Sequence, residues 1–283
     1  MREKIKKIIS FLIVLAIISL TIFYSYRLFE GDIIFDIFFN VFKGPDQTYQ
    51  KQKNIHLYDN ESVSVNKVLT RVYYLIAKDK SDSEISNWEQ IFEESLKRVS
   101  DFYELQFDFG MEIDFQIYEK LIFSEYETDF FSDLIANDLE QELEKPHSES
   151  ETIKQIIQEL ENKIDEKDKW GLEIETENEA HIVNLFVLEL GPNSFEIENK
   201  EILGLNDEKN NSLVLSFIFS DEKFKDFSES IIAHEIGHTF GMPDLYSYTG
   251  DEIKSAGLMG GGITRKIKSN YLEYQIKEKM IDY

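Results

Sequence analysis

Two histidines, a glutamate and an aspartate, close together in the chain, are the residues of this sequence best suited to chemistry. His234 and His238 are four positions apart, a spacing that puts both side chains on one face of a helix. Two imidazoles so placed can hold one metal ion, and Glu235 beside them is suited to take a proton from metal-bound water. With 5 histidines in 283 residues, chance produces this pattern in on the order of 1% of such chains.

A third ligand is required, because catalytic zinc binds three protein ligands and keeps one open position. The chain has no cysteine, so the ligands must be histidines and carboxylates. Gly241 can end the helix and Pro243 prevents it from resuming, which turns Asp244 towards the ion. We therefore predict that Zn²⁺ is bound by His234, His238 and Asp244. The alternative is that Asp244 belongs to a structural Pro-Asp turn and that a later glutamate, Glu252 or Glu273, completes the site.

The pattern of apolar side chains predicts the elements that position these residues. The order is strand, helix, strand, helices, strand, strand and the motif helix, which indicates an α/β sheet with the motif helix packed beneath it. The predicted strands are Val68–Ile76, Met111–Phe123, Ile182–Leu190 and Leu213–Phe219, and the predicted helices are 84–104, Phe130–Leu143, one after Pro146, and Glu229–Phe240 with Ser228 as its N-cap.

The stretch from about 124 to 180 is highly charged and is expected to be a solvated helical insertion. Ser148 and Glu151 have the spacing of a capping box at the start of its second helix. One apolar stripe follows on that helix: Ile153, Ile156, Ile157, Leu160 and Ile164. Such a stripe favours packing against the domain core, and a partner-binding surface is the alternative.

The net charge restricts the possible partners. The chain has 30 Lys and Arg against 55 Asp and Glu, a formal net charge of -25. A surface this acidic repels nucleic acid and anionic lipid, so we expect no nucleic-acid partner. Its simplest role is solubility; a preference for cationic substrates or for calcium is the alternative, although no loop with EF-hand spacing is present.

The N-terminus predicts export. Four basic residues within positions 2–7 precede an uncharged stretch at 8–26, which is long enough to span a bilayer and has no small-x-small cleavage site. We expect residues 1–30 to form a signal anchor, or otherwise a cleaved signal peptide, followed by a juxtamembrane stalk at 31–66 and a zinc peptidase domain at 67–283. The protein would then be a single-pass protein of the cell membrane with an extracytoplasmic catalytic domain, or secreted if the segment is cleaved.

The stretch His234-Glu235-Ile236-Gly237-His238-Thr239-Phe240-Gly241-Met242-Pro243-Asp244 resembles the extended zinc motif of the metzincin metallopeptidases. Its continuation through Leu245 and Tyr246 looks like the bacterial immune inhibitor A family, and snapalysin-like enzymes also carry aspartate as the third ligand. The resemblance implies a metzincin-like zincin domain with a mixed sheet over the active-site helix. It covers about residues 228–262.

The same resemblance extends to a methionine turn beneath the zinc. Gly257-Leu258-Met259 is similar to this turn, which implies that Met259 supports the floor of the site without binding the metal. Members of the family often have tryptophan where this chain has Ala256. A tyrosine near the turn often assists the oxyanion, and Tyr246, Tyr248 and Tyr271 are the available ones; spacing selects none of them.

These features together predict a zinc-dependent endopeptidase acting on protein or peptide substrates, in which Glu235 activates a zinc-bound water. One alternative is a catalytically inactive zinc- or peptide-binding relative at the cell surface. Another is a membrane-tethered structural protein whose acidic helices recruit partners.

Overall fold

The computed structural model describes residues 54–82, 84–144, 149–164, 180–190, 196–197, 200–201, 204–207, 211–216, 226–245 and 255–282. These residues belong to one compact unit that spans 52–283. No helix in the described part of the chain is long and apolar enough to cross a membrane. The span predicted at residues 8–26 lies outside the described residues.

In chain order, the described strands are β1 (Asn54–Leu57), β2 (Asn60–Ser64), β3 (Lys67–Ile76), β4 (Glu112–Ile117), β5 (Ile122–Phe123), β6 (His181–Glu189), β7 (Glu196–Ile197), β8 (Lys200–Glu201), β9 (Gly204–Asp207), β10 (Ser212–Ser216) and β11 (Ile281–Asp282). The α-helices are α1 (Trp88–Gln106), α2 (Thr128–Glu144), α3 (Glu151–Lys163), α4 (Ser228–Thr239) and α5 (Tyr274–Met280).

The central sheet is mixed. Its strand order is β4–β3–β6–β10–β9, and β5 pairs with the far end of β3. All pairs are parallel except β9 with β10, which is antiparallel. Every residue of β6 is buried, as expected for a parallel strand whose two faces are both covered. The mixed α/β sheet expected from the sequence is confirmed.

Helices cover both faces of this sheet. α1 lies in the connection from β3 to its neighbour β4. α2 and α3 lie in the next connection, which runs in the opposite direction across the sheet, past β3 to β6. Because parallel crossovers are right-handed, connections in opposite directions place their helices on opposite faces. The motif helix α4 packs against α1, and therefore lies on the α1 face.

The apolar stripe on α3 faces the core, as predicted. Ile153, Ile156 and Leu160 are fully buried, and α3 packs against β10. The helix begins after Ser150, whose Oγ accepts a hydrogen bond from the Ile153 N–H, so the capping box predicted two residues earlier is wrong. The described part of the insertion predicted at about 124–180 therefore packs against the central sheet.

The folded unit begins before the predicted boundary at residue 67. Residues 54–64, which the sequence placed in the stalk, form β1 and β2, and β1 also pairs with the C-terminal strand β11. Ile55 is fully buried. The turn of this hairpin reaches the motif helix, because the Tyr58 N–H donates to the Phe240 carbonyl at 2.8 Å.

Three predicted boundaries differ from the structure. α1 begins at Trp88, because Asn87 before it has a left-handed conformation with φ of 59°. The strand predicted at 111–123 is two strands, β4 and β5, separated by a bend at residues 119–120. Ser228 is the first residue of α4, and the N-cap is Phe227, which makes no side-chain capping bond.

Candidate metal centre

The motif helix α4 is buried on most of its surface. Ile231, Ile232, Ala233 and Ile236 have no solvent exposure. An apolar helix surrounded by other elements is held by packing in one orientation. The Tyr103 hydroxyl of α1 fixes the helix further by donating to the Ala233 carbonyl at 2.6 Å. The two motif histidines are therefore presented from a rigid element.

The helix ends in a Schellman motif centred on Gly241. Gly241 has a φ of 76°, and its N–H donates to the His238 carbonyl at 2.8 Å. The Met242 N–H donates to the Gly237 carbonyl at 3.1 Å. These two bonds satisfy the last helical carbonyls and reverse the chain. The reversal brings Asp244 back to the histidines, as the sequence predicted from the glycine and proline.

Three ligand atoms converge at the end of this turn. His234 Nε2 and His238 Nε2 are 3.1 Å apart. Asp244 Oδ1 lies 3.2 Å from the first and 3.3 Å from the second. His234, His238 and Asp244 form the one group of metal-binding side chains found among the described residues.

These spacings fit a tetrahedral zinc ion. Ligands bound at about 2.0 Å in tetrahedral geometry are separated by about 3.3 Å. The three atoms of this site are 3.1–3.3 Å apart, which is the required edge length. Two imidazole nitrogens and one carboxylate oxygen are also a donor set typical of catalytic zinc.

The Nδ1 atoms of His234 and His238 both form hydrogen bonds to backbone carbonyls, which leaves the Nε2 lone pairs of the two rings directed at one another. His234 Nδ1 donates to the Leu258 carbonyl and His238 Nδ1 donates to the Met242 carbonyl, each at 2.9 Å. A backbone carbonyl can only accept, so these bonds fix the proton on Nδ1 and leave Nε2 as the acceptor in a neutral ring. Asp244 Oδ1 is buried without an aligned hydrogen-bond donor. Such a cluster can hold a cation.

Without metal, a proton takes the place of that cation. Burial lowers the pKa of His238, but the adjacent Asp244 carboxylate, the Glu235 charge and the Met242 carbonyl together outweigh burial and raise it to about 9. Burial raises the pKa of Asp244, but the two imidazoles outweigh it and hold the pKa well below its usual range. The metal-free pair is therefore an imidazolium and a carboxylate at neutral pH.

Glu235 is buried beside this cluster. Burial raises the pKa of its carboxyl group, the two histidines oppose that rise, and Asp244 adds to it. Its side chain lies against Gly204 of β9, where a Cβ atom would come within 2.5 Å of the Glu235 Cδ atom. A carboxyl group with a raised pKa beside a candidate metal site is a typical general acid or base.

Residues 257–260, here named the Met259 turn, lie beneath the ligands. The Leu258 carbonyl holds the His234 ring, and the Met259 carbonyl accepts from the Leu245 N–H at 2.6 Å. Met259 itself is fully buried, and its Sδ lies close to Gly237 of the motif helix. Met259 therefore packs against the motif helix and offers no ligand atom to the group formed by His234, His238 and Asp244.

The predicted site residues fall into three groups. The structure brings together His234, Glu235, His238 and Asp244. It places Glu273 behind the Met259 turn, where its Oε2 accepts from the Met259 N–H, so the alternative in which Glu273 is the third ligand is wrong. Glu252, Tyr246 and Tyr248 lie outside the described residues, and Tyr271 is partly exposed next to Gly257.

Sequence reasoning missed Gly204 altogether, and it named Glu273 only as an alternative metal ligand. Gly204 permits β9 to approach Glu235, and Glu273 supports the Met259 turn. Neither has a local signal, since each contact joins segments far apart in the chain. The only available hint was a glycine at the start of a short strand, which often marks a close backbone approach.

Comparisons with known proteins find similarity among solved structures only. No protein-family model matches the chain, and no curated protein matches it in sequence. Among solved structures, the crystal structure of a zinc-dependent peptidase from Methanocorpusculum labreanum (strain Z) is similar at 15% identity and a TM-score of 0.32. The match covers 74% of this chain and 99% of that one. A TM-score this low does not establish a common fold.

Proposed function

We propose that this chain is a zinc-dependent endopeptidase in which His234, His238 and Asp244 hold the metal and Glu235 is the general base. One observation carries the proposal: three lone-pair atoms meet at 3.1–3.3 Å with a buried carboxyl group beside them. A structural metal site would need a fourth protein ligand and no such base. Three ligands with an adjacent glutamate are the arrangement of a hydrolytic site.

When bound, zinc would supply a Lewis acid that polarises the scissile carbonyl and lowers the pKa of water to about 7. Glu235 accepts the proton of the attacking water and later donates it to the leaving amine. Burial raises the pKa of Glu235 above that of an ordinary carboxyl group, which strengthens it as a base for the first step. His234 and His238 stay oriented through their Nδ1 hydrogen bonds.

A peptide is the substrate that best fits the surroundings of the site. β9 pairs with β10 and with no other strand among the described residues. The free side of an edge strand binds an extended chain through backbone hydrogen bonds. Gly204, the first residue of β9, lies against Glu235, so a peptide added to this edge would run past the general base.

The experiment is Glu235→Gln in the full-length chain. The amide has the shape of the carboxylate but cannot take a proton at neutral pH. We expect zinc content equal to that of the parent, with hydrolysis of a mixed peptide library reduced about 10²–10⁴-fold. A variant that cleaves as fast as the parent would exclude Glu235 as the base. A parent that binds zinc but shows no chelator-sensitive cleavage would favour the inactive zinc- or peptide-binding relative.

We also propose that residues 1–30 anchor the chain in the cell membrane, with the catalytic unit outside the cytoplasm. The support is the basic residues at 2–7 followed by the uncharged stretch at 8–26. Protease added to intact cells should then digest the catalytic unit, which should remain with the membrane after carbonate extraction. Release into the medium would instead show cleavage of the segment.

A further inference from the structure

Glu273 carries a buried carboxyl group that is not a metal ligand. It is 4% exposed, and its Oε2 accepts a hydrogen bond from the Met259 N–H at 3.3 Å. Its Oε1 atom is buried with no hydrogen-bond partner. Burying a carboxylate with so little compensation is unfavourable, and an apolar side chain would fill the same space more favourably. The acid therefore needs an explanation beyond packing.

Helix capping does not provide that explanation. Glu273 occupies the N-cap position of α5, but its side chain accepts no capping hydrogen bond from that helix. Its acceptor is used on the Met259 turn instead. The contact thus joins the C-terminal part of the chain to the floor of the metal site.

The Met259 turn reaches the metal site at two places. The Leu258 carbonyl accepts the Nδ1 proton of His234, and the Met259 carbonyl accepts from Leu245, which follows the aspartate ligand in the chain. Between these two acceptors, the Met259 N–H points the other way, to Glu273. Glu273 therefore binds the backbone of the Met259 turn. The same backbone segment accepts hydrogen bonds from His234 and from Leu245, the residue after Asp244.

Gly257 allows this contact. A Cβ atom on residue 257 would lie 2.6 Å from both Cδ and Oε1 of Glu273, closer than real Cβ contacts. Any other residue would displace the carboxyl group or the turn. The glycine of the turn and the buried acid are therefore matched to each other.

The charge of Glu273 also acts on the motif helix. Burial raises the pKa of the Tyr103 hydroxyl well above its usual value, and the Glu273 charge raises it further. The hydroxyl accordingly stays protonated and donates to the Ala233 carbonyl, one residue before the first histidine ligand. His234 is thus held between two segments near Glu273: the Met259 turn, which Glu273 binds directly, and the helix fixed by Tyr103.

We infer that Glu273 is a positioning residue for the metal site: its carboxylate holds the Met259 turn where the Leu258 carbonyl orients the His234 ring. The inference rests on the proposed function, since it assumes that His234 binds zinc. Partners that orient a metal-binding histidine typically change metal affinity about 10–100-fold when they are lost. Glu273 acts one step further out, through the backbone that carries the orienting carbonyl.

The test measures zinc affinity of the full-length chain by competition with a chelator. Glu273→Ala should weaken zinc binding about tenfold or more, in the range of other outer partners. Glu273→Gln keeps an oxygen that can accept from Met259 and should bind zinc nearly as tightly as the parent. Asp138→Ala is the matched control: it removes another buried carboxylate, one that accepts from the N-terminus of α3, and should leave zinc affinity unchanged.

Equal zinc affinity in the Glu273→Ala variant and the parent would overturn the inference and leave the proposed function intact. A parent that binds no zinc would overturn the proposed function and this inference with it. If Glu273→Ala does not fold, Gly257→Ala serves instead, because its Cβ displaces the carboxyl group. Unchanged affinity there would equally contradict the inference. The Nδ1 proton of His234, followed by NMR, should exchange faster with solvent wherever zinc affinity falls.

Discussion

The backbone of Gly204 lies against the carboxyl group of Glu235. A Cβ atom on residue 204 would be 2.5 Å from the Glu235 Cδ atom and 2.6 Å from its Oε1 atom. The edge strand of the sheet is therefore packed directly on the proposed general base. This contact makes the orientation of that base depend on a residue with no side chain.

Gly204→Ala should therefore impair catalysis without removing the metal. The new methyl group meets the end of a flexible side chain, so the Glu235 carboxyl group moves and the fold is kept. A misplacement of about 1 Å can reduce the rate about 100-fold. We expect a loss of that order in kcat/KM with full zinc content. In a Glu235→Gln background the same substitution should have almost no further effect, and an additive loss would contradict the proposed contact.

Asp244→Ala should abolish tight zinc binding. Asp244 Oδ1 completes the triangle with both histidines, so its loss should exceed the roughly 10–100-fold effect of an outer partner. Glu252→Gln is the informative control, because Glu252 was the other acidic residue suggested by the sequence as a ligand and lies outside the described residues. Equilibrium dialysis measures the zinc affinity of both variants and shows which of the two acids is a ligand. Loss of zinc in the Glu252 variant but not in the Asp244 variant would be the opposite of our expectation.

The metal-free protein should lose stability as the pH rises from 6.5 to about 9. The folded-state pKa of His238 is raised from 6.5 to about 9, so its pairing with Asp244 stabilises the fold fully below pH 6.5 and is lost on passing 9. The raised pKa of Glu235 acts in the same direction, because its buried ionised form disfavours folding. Zinc replaces the proton, so the stabilisation by added zinc should increase with pH.

Thermal unfolding with chelator and with zinc, between pH 6 and 9, measures this effect. Asp244→Asn removes the partner of the imidazolium and should flatten the profile of the metal-free protein. A chelated parent whose Tm is constant across this range would rule out the charged pair.

Ile156→Ala should destabilise the fold by about 2–5 kcal/mol, because Ile156 is fully buried on the core side of α3. Glu161→Ala, on the exposed side of the same helix, should change the free energy of unfolding by less than about 0.5 kcal/mol. Urea unfolding gives both values. Equal stability of the Ile156 variant and the parent would revive the alternative of a partner-binding stripe.

The structure reproduces those predicted features that are set by local geometry, namely the convergence of His234, His238 and Asp244 and the buried stripe on α3. The spacing of His234 and His238 follows from the helical period, and Gly241 and Pro243 have backbone preferences that end a helix within a few residues. The stripe on α3 follows from the same period. Local rules therefore reached the ligand set, and the structure brought its members together.

The parts that sequence reasoning missed depend on tertiary contacts. Glu273 was considered only as a ligand, because its distance along the chain does not reveal that the Met259 turn lies between it and the metal site. Pairing of β1 with the C-terminal β11 joins opposite ends of the described chain and has no local signal. Ser228 was assigned as a cap by residue type, whereas it is the first residue of α4 and Phe227 is the N-cap, with no side-chain capping bond.

Zinc binding by His234, His238 and Asp244 can be tested by anomalous diffraction from a crystal of the zinc-loaded protein, recorded on both sides of the zinc absorption edge. We expect one strong anomalous peak about 2.0–2.2 Å from His234 Nε2, His238 Nε2 and an Asp244 oxygen, with a fourth position open beside Glu235. A peak ligated by a different carboxylate, or no peak between the two histidines, would contradict this expectation.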